Sequence, residues 1–543
     1  MFIHQLLFMG LLVLSVVASV APIVIRGNKF FNSSDGSQFF IKGVAYQRNR
    51  REGEVYDVTL GPRYIDSLAE PSLCLRDLEY LKELGVNTVR VYQIDPDQSH
   101  DVCMNAFANS GIYVLADLGE PEQSINRDDP HWDLDLYERF TSVVDAMSSY
   151  PNVLGFYIGN EVITSPLNSN SAPFVKAAVR DIKRYVRNMG YRGIPIGYSS
   201  NDDTATRLEL ANYFVCDEYN GTDSAVDFYS LNMFEWCGYS SFATSGYKER
   251  TIEFAQLPVP VFFSEFGCNT VSPRPFTEME SLYGPSMLKV WSGGIVYEFF
   301  QNENKYGLVE ETSPGVLRKL DDYRIVQLRF MESRPVGVQK SWNTESRRGQ
   351  VKCPVVSSTW NALLILPKFP LLEVCECLDA SLSCILTPYV RIHETDLLYE
   401  VCLVTDCLKI IGNGSQGKYG VFSVCGIKQR ISYALNKHWV QNDRNPNACN
   451  FGSRAVLITN KEDASVDSTF TADGKNCRDI LGKCLDSMQK PTVVVPLSTS
   501  QVSVALTGIK FVQSRSKGGS MRVTHLGVAA IGVLVLSSIY LAT

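Results

Sequence analysis

Two glutamates close apolar runs in this chain: Glu161 in Ile158-Gly159-Asn160-Glu161 and Glu265 in Phe262-Phe263-Ser264-Glu265-Phe266-Gly267. Such a pair suits the cleavage of an acetal with retention. One carboxylic acid protonates the leaving oxygen while the other carboxylate attacks the anomeric carbon, the two lying about 5 to 5.5 Å apart. Asn160, beside the first acid, is placed to bind a sugar 2-hydroxyl, and the phenylalanines around Glu265 limit its solvation, so the two pKa values separate as the two roles require. Taken singly, either glutamate reads as a helix cap or a surface ion-pair partner. Their occurrence at matched strand ends favours the catalytic reading.

The elements that carry them repeat. From Phe39 to Glu310, short β-rich apolar runs alternate with stretches of helical period, the pattern of a parallel sheet wrapped by helices. Eight strands are expected: Phe39–Tyr46, Thr88–Ile94, Tyr113–Leu118, Val153–Ile158, Pro195–Ser199, Asp227–Phe234, Val259–Glu265 and Gly294–Phe299. Between the fourth and fifth, Val175, Val179, Ile182 and Val186 share one helix face while Lys176, Arg180, Lys183 and Arg187 fall elsewhere. Ser171 and Pro173 start that helix and Gly190 ends it. Eight such units predict an α/β chain with a closed (β/α)8 barrel, and a doubly wound open sheet is the second choice.

A barrel places its site at the C-terminal strand ends. The polar residues there are Gln47, Tyr92, Asp117, Asn160 with Glu161, Asn201 with Asp202, Glu235, Glu265, and Tyr297 with Glu298. Asp117 and Asp202 read equally as sugar ligands or loop caps, Glu235 as part of the rim, and Glu298 as facing away from Tyr297. Tyr46, Tyr92, Phe234, Trp236 and Tyr297 are candidates for stacking on pyranose faces, about half of them expected to be core instead.

Other chemistries lack their residues. The six histidines show no metal-ligand spacing, so neither a metal nor a cofactor is expected. No Gly-x-Ser-x-Gly elbow, phosphate-cradling loop or dinucleotide fingerprint occurs. A net charge of -7 with no concentrated basic run argues against a nucleic-acid partner.

The ends and the cysteines place the chain outside the cell. The apolar stretch Leu6–Val17 followed by small residues reads as a secretory signal over 1–19. Sequons at Asn32, Asn220 and Asn413 agree with that route. Fifteen cysteines read as a disulfide framework, six through Cys353 and nine crowded from Cys375 to Cys484, which marks a small stapled second domain. Small residues within Ser514–Ser520, a spacer and an apolar tail from Leu526 to Ala542 form a glycolipid-anchor signal, with a tail-type membrane helix as the alternative.

Several longer stretches resemble the fungal glycolipid-anchored surface proteins of glycoside hydrolase family 72. They are Ser124-Ile125-Asn126-Arg127-Asp128-Asp129-Pro130, Tyr198-Ser199-Ser200-Asn201-Asp202-Asp203, Asn232-Met233-Phe234-Glu235-Trp236-Cys237-Gly238, Phe263-Ser264-Glu265-Phe266-Gly267-Cys268-Asn269 and Trp291-Ser292-Gly293-Gly294-Ile295-Val296-Tyr297. The resemblance runs from Asn28 to about Cys477. It implies a retaining β-1,3-glucanosyltransferase that cuts one β-1,3-glucan internally and passes the new reducing end to the non-reducing end of another. By motif, Glu161 is then acid/base and Glu265 nucleophile. Tyr92, Asn160, Tyr297 and the loop from Gly119 to Arg127 then serve the donor, and Asp202 with Arg207 the acceptor, while Gln47 and Asp117 stand as substrate-binding candidates from their strand ends. The resemblance also implies the pairs Cys74–Cys103, Cys216–Cys353 and Cys237–Cys268.

The later cysteines resemble the X8 module, also called carbohydrate-binding family 43, which is small, disulfide-rich and mostly helical. Eight match and Cys484 is left over; the module reads either as a glucan binder or as a structural brace. The domain plan is then 1–19 signal, 22–332 barrel, 333–370 connecting segment tied back by Cys353, 371–486 module, 487–520 segment with the anchor site and 521–543 removed tail. Two departures stand out: Phe234 replaces the usual tyrosine, and Pro491–Val512 is apolar and strand-like where the family carries a serine-rich stalk. A monomer on the outer face of the plasma membrane or in the wall is expected, with glucan chains as partners. The rival readings are an endo-β-1,3-glucanase and an inactive glucan-binding wall protein.

Overall fold

The computed structural model describes residues 20–49, 64–121, 123–217, 223–342, 351–388, 394–458, 471–472, 475–477 and 479–480. The signal over 1–19, Asn220, Cys484, Pro491–Val512 and the anchor and tail segments lie outside the described residues.

Eight parallel strands close into a barrel. They are β1 (Ile41–Ala45), β2 (Thr88–Val91), β3 (Tyr113–Asp117), β4 (Val153–Asn160), β5 (Ile196–Ser200), β6 (Phe228–Cys237), β7 (Val261–Cys268) and β8 (Trp291–Val296). Pairing of β8 with β1, Gly294 opposite Lys42, closes the ring. The strands read as unbroken apolar runs because both faces are covered: one by the barrel interior, the other by helices. The eight covering helices are α1 (Pro71–Leu84), α2 (Asp101–Asn109), α3 (Leu134–Met147), α4 (Ala172–Asn188), α5 (Arg207–Val215), α6 (Tyr247–Phe254), α7 (Glu278–Leu282) and α8 (Asp321–Glu332).

Boundaries differ from the sequence expectation where the backbone crowds. The first strand begins at Ile41, because Gln38–Phe39 pair antiparallel with the Lys29–Asn32 strand instead. That small sheet lies against the barrel interior through Phe30, whose ring lies 6.2 Å from Phe228 and 6.0 Å from Phe262. The last strand begins at Trp291 rather than Gly294: Ser292-Gly293-Gly294 looks like a turn, but Gly293 sits at φ +101 and a Cβ there would meet the Ile41 carbonyl oxygen at 2.1 Å. Glycine lets β8 approach β1.

In α4 the apolar face is as expected, yet Lys176 and Lys183 are buried too. Lys176 Nζ donates to the carbonyls of Tyr213 and Cys216 at 2.7 and 2.8 Å, and Lys183 Nζ to Ala225 O and Asp227 at 2.7 and 2.8 Å. An ammonium over the carbonyls that end α5 is stabilised by the helix dipole, which the sequence pattern alone does not reveal.

Beyond the barrel, α9 (Leu372–Ser381), α10 (Glu394–Cys402), α11 (Ile427–Gln441) and α12 (Pro446–Asn450) build the small helical region. Among the described residues seven disulfides form: Cys74–Cys103, Cys216–Cys353 and Cys237–Cys268 around the barrel, and Cys375–Cys425, Cys377–Cys477, Cys384–Cys449 and Cys402–Cys407 in the helical region. The two parts pack directly. Arg430 of α11 meets Asp133 at the start of α3 at 3.4 Å with both side chains buried, and the Leu134 amide donates to the Val424 carbonyl. No helix among the described residues is long and apolar enough to cross a membrane.

Candidate active site

Glu265 lies within β7, not at its end. Between β6 and β7, Leu231 pairs with Phe263 but Asn232 pairs with Glu265, so β7 carries one extra residue there. Such a bulge re-aims side chains, and Ser264 and Glu265 both reach polar partners inside the barrel. Glu265 Oε1 accepts from the Tyr92 hydroxyl at 2.8 Å and from Arg90 Nη1 at 3.2 Å. Burial pushes its carboxyl up to about 7, opposed by the Arg90 guanidinium and the Tyr92 hydrogen bond, while Glu161 nearby pushes it further up.

Glu161 follows β4 with φ +49, a left-handed conformation that costs a non-glycine residue about 1 to 2 kcal/mol. Its amide donates to Ser199 O at 2.9 Å and its carbonyl accepts from Arg127 at 2.7 Å, so both sides of the peptide are held. Oε1 accepts from Asn232 Nδ2 at 2.7 Å, and the same amide reaches Asn160 Oδ1 at 3.3 Å. Asn232 is itself oriented: its Oδ1 accepts from Ser264 at 2.9 Å and Ser199 at 3.1 Å.

Arg90 is one of two residues at the site that sequence reasoning missed. Fully buried, it forks onto both oxygens of Asp117 at 3.2 and 3.1 Å and lies 4.5 Å from the Tyr92 ring centre and 4.3 Å from that of Tyr157. A charge in the middle of the apolar run Thr88-Val89-Arg90-Val91 was the available signal, since arginine is almost never buried unpaired. Asn232 was missed for a similar reason: it stood inside a quoted motif without a role.

The remaining candidates divide by place. Both oxygens of Asp117 face Arg90, and Gln47 uses its amide on the Tyr92 backbone N–H at 3.2 Å and on Ile65 O at 3.0 Å, so each supports a neighbour. Gly119 opens a loop where a Cβ would stand 3.2 Å from the Gln123 carbonyl, and Arg127 at its far end grips Glu161. Tyr297 forms an aromatic group with Tyr306 at 5.3 Å and Phe234 at 6.3 Å. Asp202 pairs with Arg207, which also meets Glu235 at 3.8 Å and Glu253 at 3.5 Å. Burial and the facing Asp202 push Glu235 up to about 8. Tyr46 and Trp236 are buried. No cluster of metal-binding side chains occurs among the described residues.

A carboxyl oriented by an amide stands near a second carboxyl held by arginine and phenol, the residue types that retaining glycoside chemistry pairs. The glucanosyltransferase profile of glycoside hydrolase family 72 matches residues 12–333, more than half of the chain. The chain belongs to that family. The X8 domain profile matches residues 382–456, within the helical region. Among relatives of this glucanosyltransferase, it is 48% identical over 481 residues to the 1,3-beta-glucanosyltransferase PGA5 of Candida albicans, covering 85% of this chain and 75% of that one. It is 46% identical over 446 residues to the 1,3-beta-glucanosyltransferase GAS2 of Saccharomyces cerevisiae, covering 80% and 79%. The apo structure of a mutant Saccharomyces cerevisiae Gas2p superposes with a TM-score of 0.78 at 42% identity, covering 87% of this chain and 98% of that one.

Proposed function

We propose that the protein is a β-1,3-glucanosyltransferase of the fungal cell wall, working by double displacement with Glu161 as acid/base and Glu265 as nucleophile. The observation that carries the assignment is the unequal company the two carboxyls keep. Glu265 has a fixed cation and a phenol on one oxygen, and both favour the attacking anion against the burial that pushes its carboxyl up. Glu161 has the Asn232 amide on its carboxyl and the Arg127 guanidinium on its backbone carbonyl, and among the described residues no ion pair forms at its carboxyl.

In this reading Glu161 protonates the departing glycosidic oxygen while Glu265 bonds to the anomeric carbon. The leaving chain departs, Glu161 takes the proton of an incoming sugar hydroxyl, and that oxygen displaces Glu265. Transfer and hydrolysis differ only in whether a sugar hydroxyl or water attacks the second time. Tyr92, Asn160 and Tyr297 would hold the donor, with Gln47, Asp117 and the Gly119–Arg127 loop behind them. Asp202 would face the acceptor, steadied by Arg207. The 371–486 region would bind glucan or brace the barrel, and the chain would be secreted and held at the outer surface by a glycolipid.

The test is to incubate the soluble protein with a reduced β-1,3-linked oligosaccharide of defined length and follow product masses. Products longer than the substrate are expected. Only shorter ones would make it an endo-β-1,3-glucanase, and no products from folded protein would make it a binding protein.

A further inference from the structure

Glu298 is a buried acid that the reaction above does not use. It is 6% exposed and sits next to Tyr297 in sequence. Its Oε2 accepts from Asn302 Nδ2 at 2.8 Å, and the Asn304 side chain also bears on the carboxyl. The asparagine belongs to a tight loop, Gln301–Gly307, in which a Cβ on Gly307 would stand 2.2 Å from Gln301 Cα. The Glu298 amide donates to Tyr306 O at 3.1 Å, the Leu308 amide returns to Glu298 O at 3.1 Å, and Gly307 N donates to Gln301 Oε1 at 2.8 Å. Glu298 therefore grips the loop with its side chain and with both backbone groups.

That loop is what touches Tyr297. Asn304 Nδ2 donates to the Tyr297 hydroxyl at 3.4 Å, and the Tyr306 ring stands edge-on to Tyr297 at 5.3 Å and 5.8 Å from Phe234. Arg274 binds the other side of the same unit, donating to Tyr297 O at 2.7 Å and to Tyr306 O at 2.5 Å.

We propose that Glu298 is a positioning residue for transfer: by clamping the Gln301–Gly307 loop it sets the place and direction of the Tyr297 hydroxyl at the reacting sugar. Burial pushes the Glu298 carboxyl up to about 7 while the Asn304 and Asn302 amides draw it down. Below that pH it is a neutral acid, so glutamine is its closest substitute. The inference rests on the placement of Tyr297 at the donor.

The experiment is a double-mutant cycle on oligosaccharide transfer, with kcat and donor KM measured separately. Glu298→Ala should lower kcat by about tenfold to a hundredfold, the scale on which small displacements of an oriented group act, and Glu298→Gln should recover most of it. On a Tyr297→Phe background the further loss from Glu298→Ala should shrink to about twofold or less, because a group that acts through another has nothing left to act on. Should Glu298→Ala fail to fold, Asn302→Ala opens the same clamp and should give the same kcat loss and the same coupling to Tyr297→Phe. Full activity in folded Glu298→Ala, or losses that add in full, overturns the proposal. Full activity in Tyr297→Phe defeats the donor placement itself, whereas a loss in Tyr297→Phe beside full activity in Glu298→Ala defeats only the role of Glu298.

Discussion

Asn232 Nδ2 stands 2.7 Å from Glu161 Oε1, and the carbonyl of the same amide accepts from Ser199 and Ser264. The two serines leave the amide only one useful orientation, with its N–H groups toward Glu161 and Asn160. Hydrogen bonds to charged groups contribute about 1.5 to 3 kcal/mol. Asn232→Ala is therefore expected to lower kcat by roughly tenfold to a hundredfold with little change in donor KM. A loss confined to KM would show that Asn232 serves binding alone.

Glu161→Gln and Glu265→Gln are each expected to abolish transfer, by about a hundredfold or more for the acid/base and further for the nucleophile. Circular dichroism should show both folded. Turnover near that of the unaltered protein in either variant removes that residue from the reaction.

The pH profile tests the surroundings of Glu265. Its carboxyl attacks only when ionised, and the Tyr92 hydrogen bond favours the ionised form against the burial that pushes it up to about 7. Tyr92→Phe should raise that value, so the acidic limb of kcat/KM should move to higher pH. A limb that stays in place or moves down would mean that Tyr92 does not stabilise the carboxylate.

Burial also links pH to stability. Glu278 is buried and pushed up to about 7 from an ordinary value near 4.5. The folded state then holds a proton that the unfolded chain releases, so this group subtracts stability as pH rises from about 4.5 through about 7. Glu278→Gln should flatten that part of the curve, gaining in melting temperature at pH 7.5 relative to pH 5. An equal change at both values would show that Glu278 does not titrate there.

Arg430 and Asp133 join the helical region to the barrel with both side chains buried. Removing one partner of a buried pair costs up to about 3 to 5 kcal/mol, and less here because Asp133 keeps the Leu136 amide at 3.1 Å and His131 at 3.4 Å. Arg430→Ala should lower the melting temperature and speed limited proteolysis in the 351–371 stretch. Unchanged cleavage would mean that the contact carries no load.

The alternation of strands and helices was legible because each apolar run has its own period, and the eight-unit count led to the closed barrel. Glu161 and Glu265 stood out as candidates because they end two apolar runs at matched strand positions, from which two carboxyls can face each other across a barrel mouth. The sequence by itself determined the barrel strands, the helices between them and their order, and it singled out the two acids as candidates. Which groups face them was decided by closure: register shifts set Asn232 opposite Glu265 and brought Arg90, from a different strand, against it. Likewise, only packing told the buried Lys176 and Lys183 from the exposed face of their helix, and only the folded loop gave Glu298 its grip on Asn302. The physical reason is that periodicity records which face of an element is buried, whereas the partner a polar group meets there depends on strands far apart in the chain.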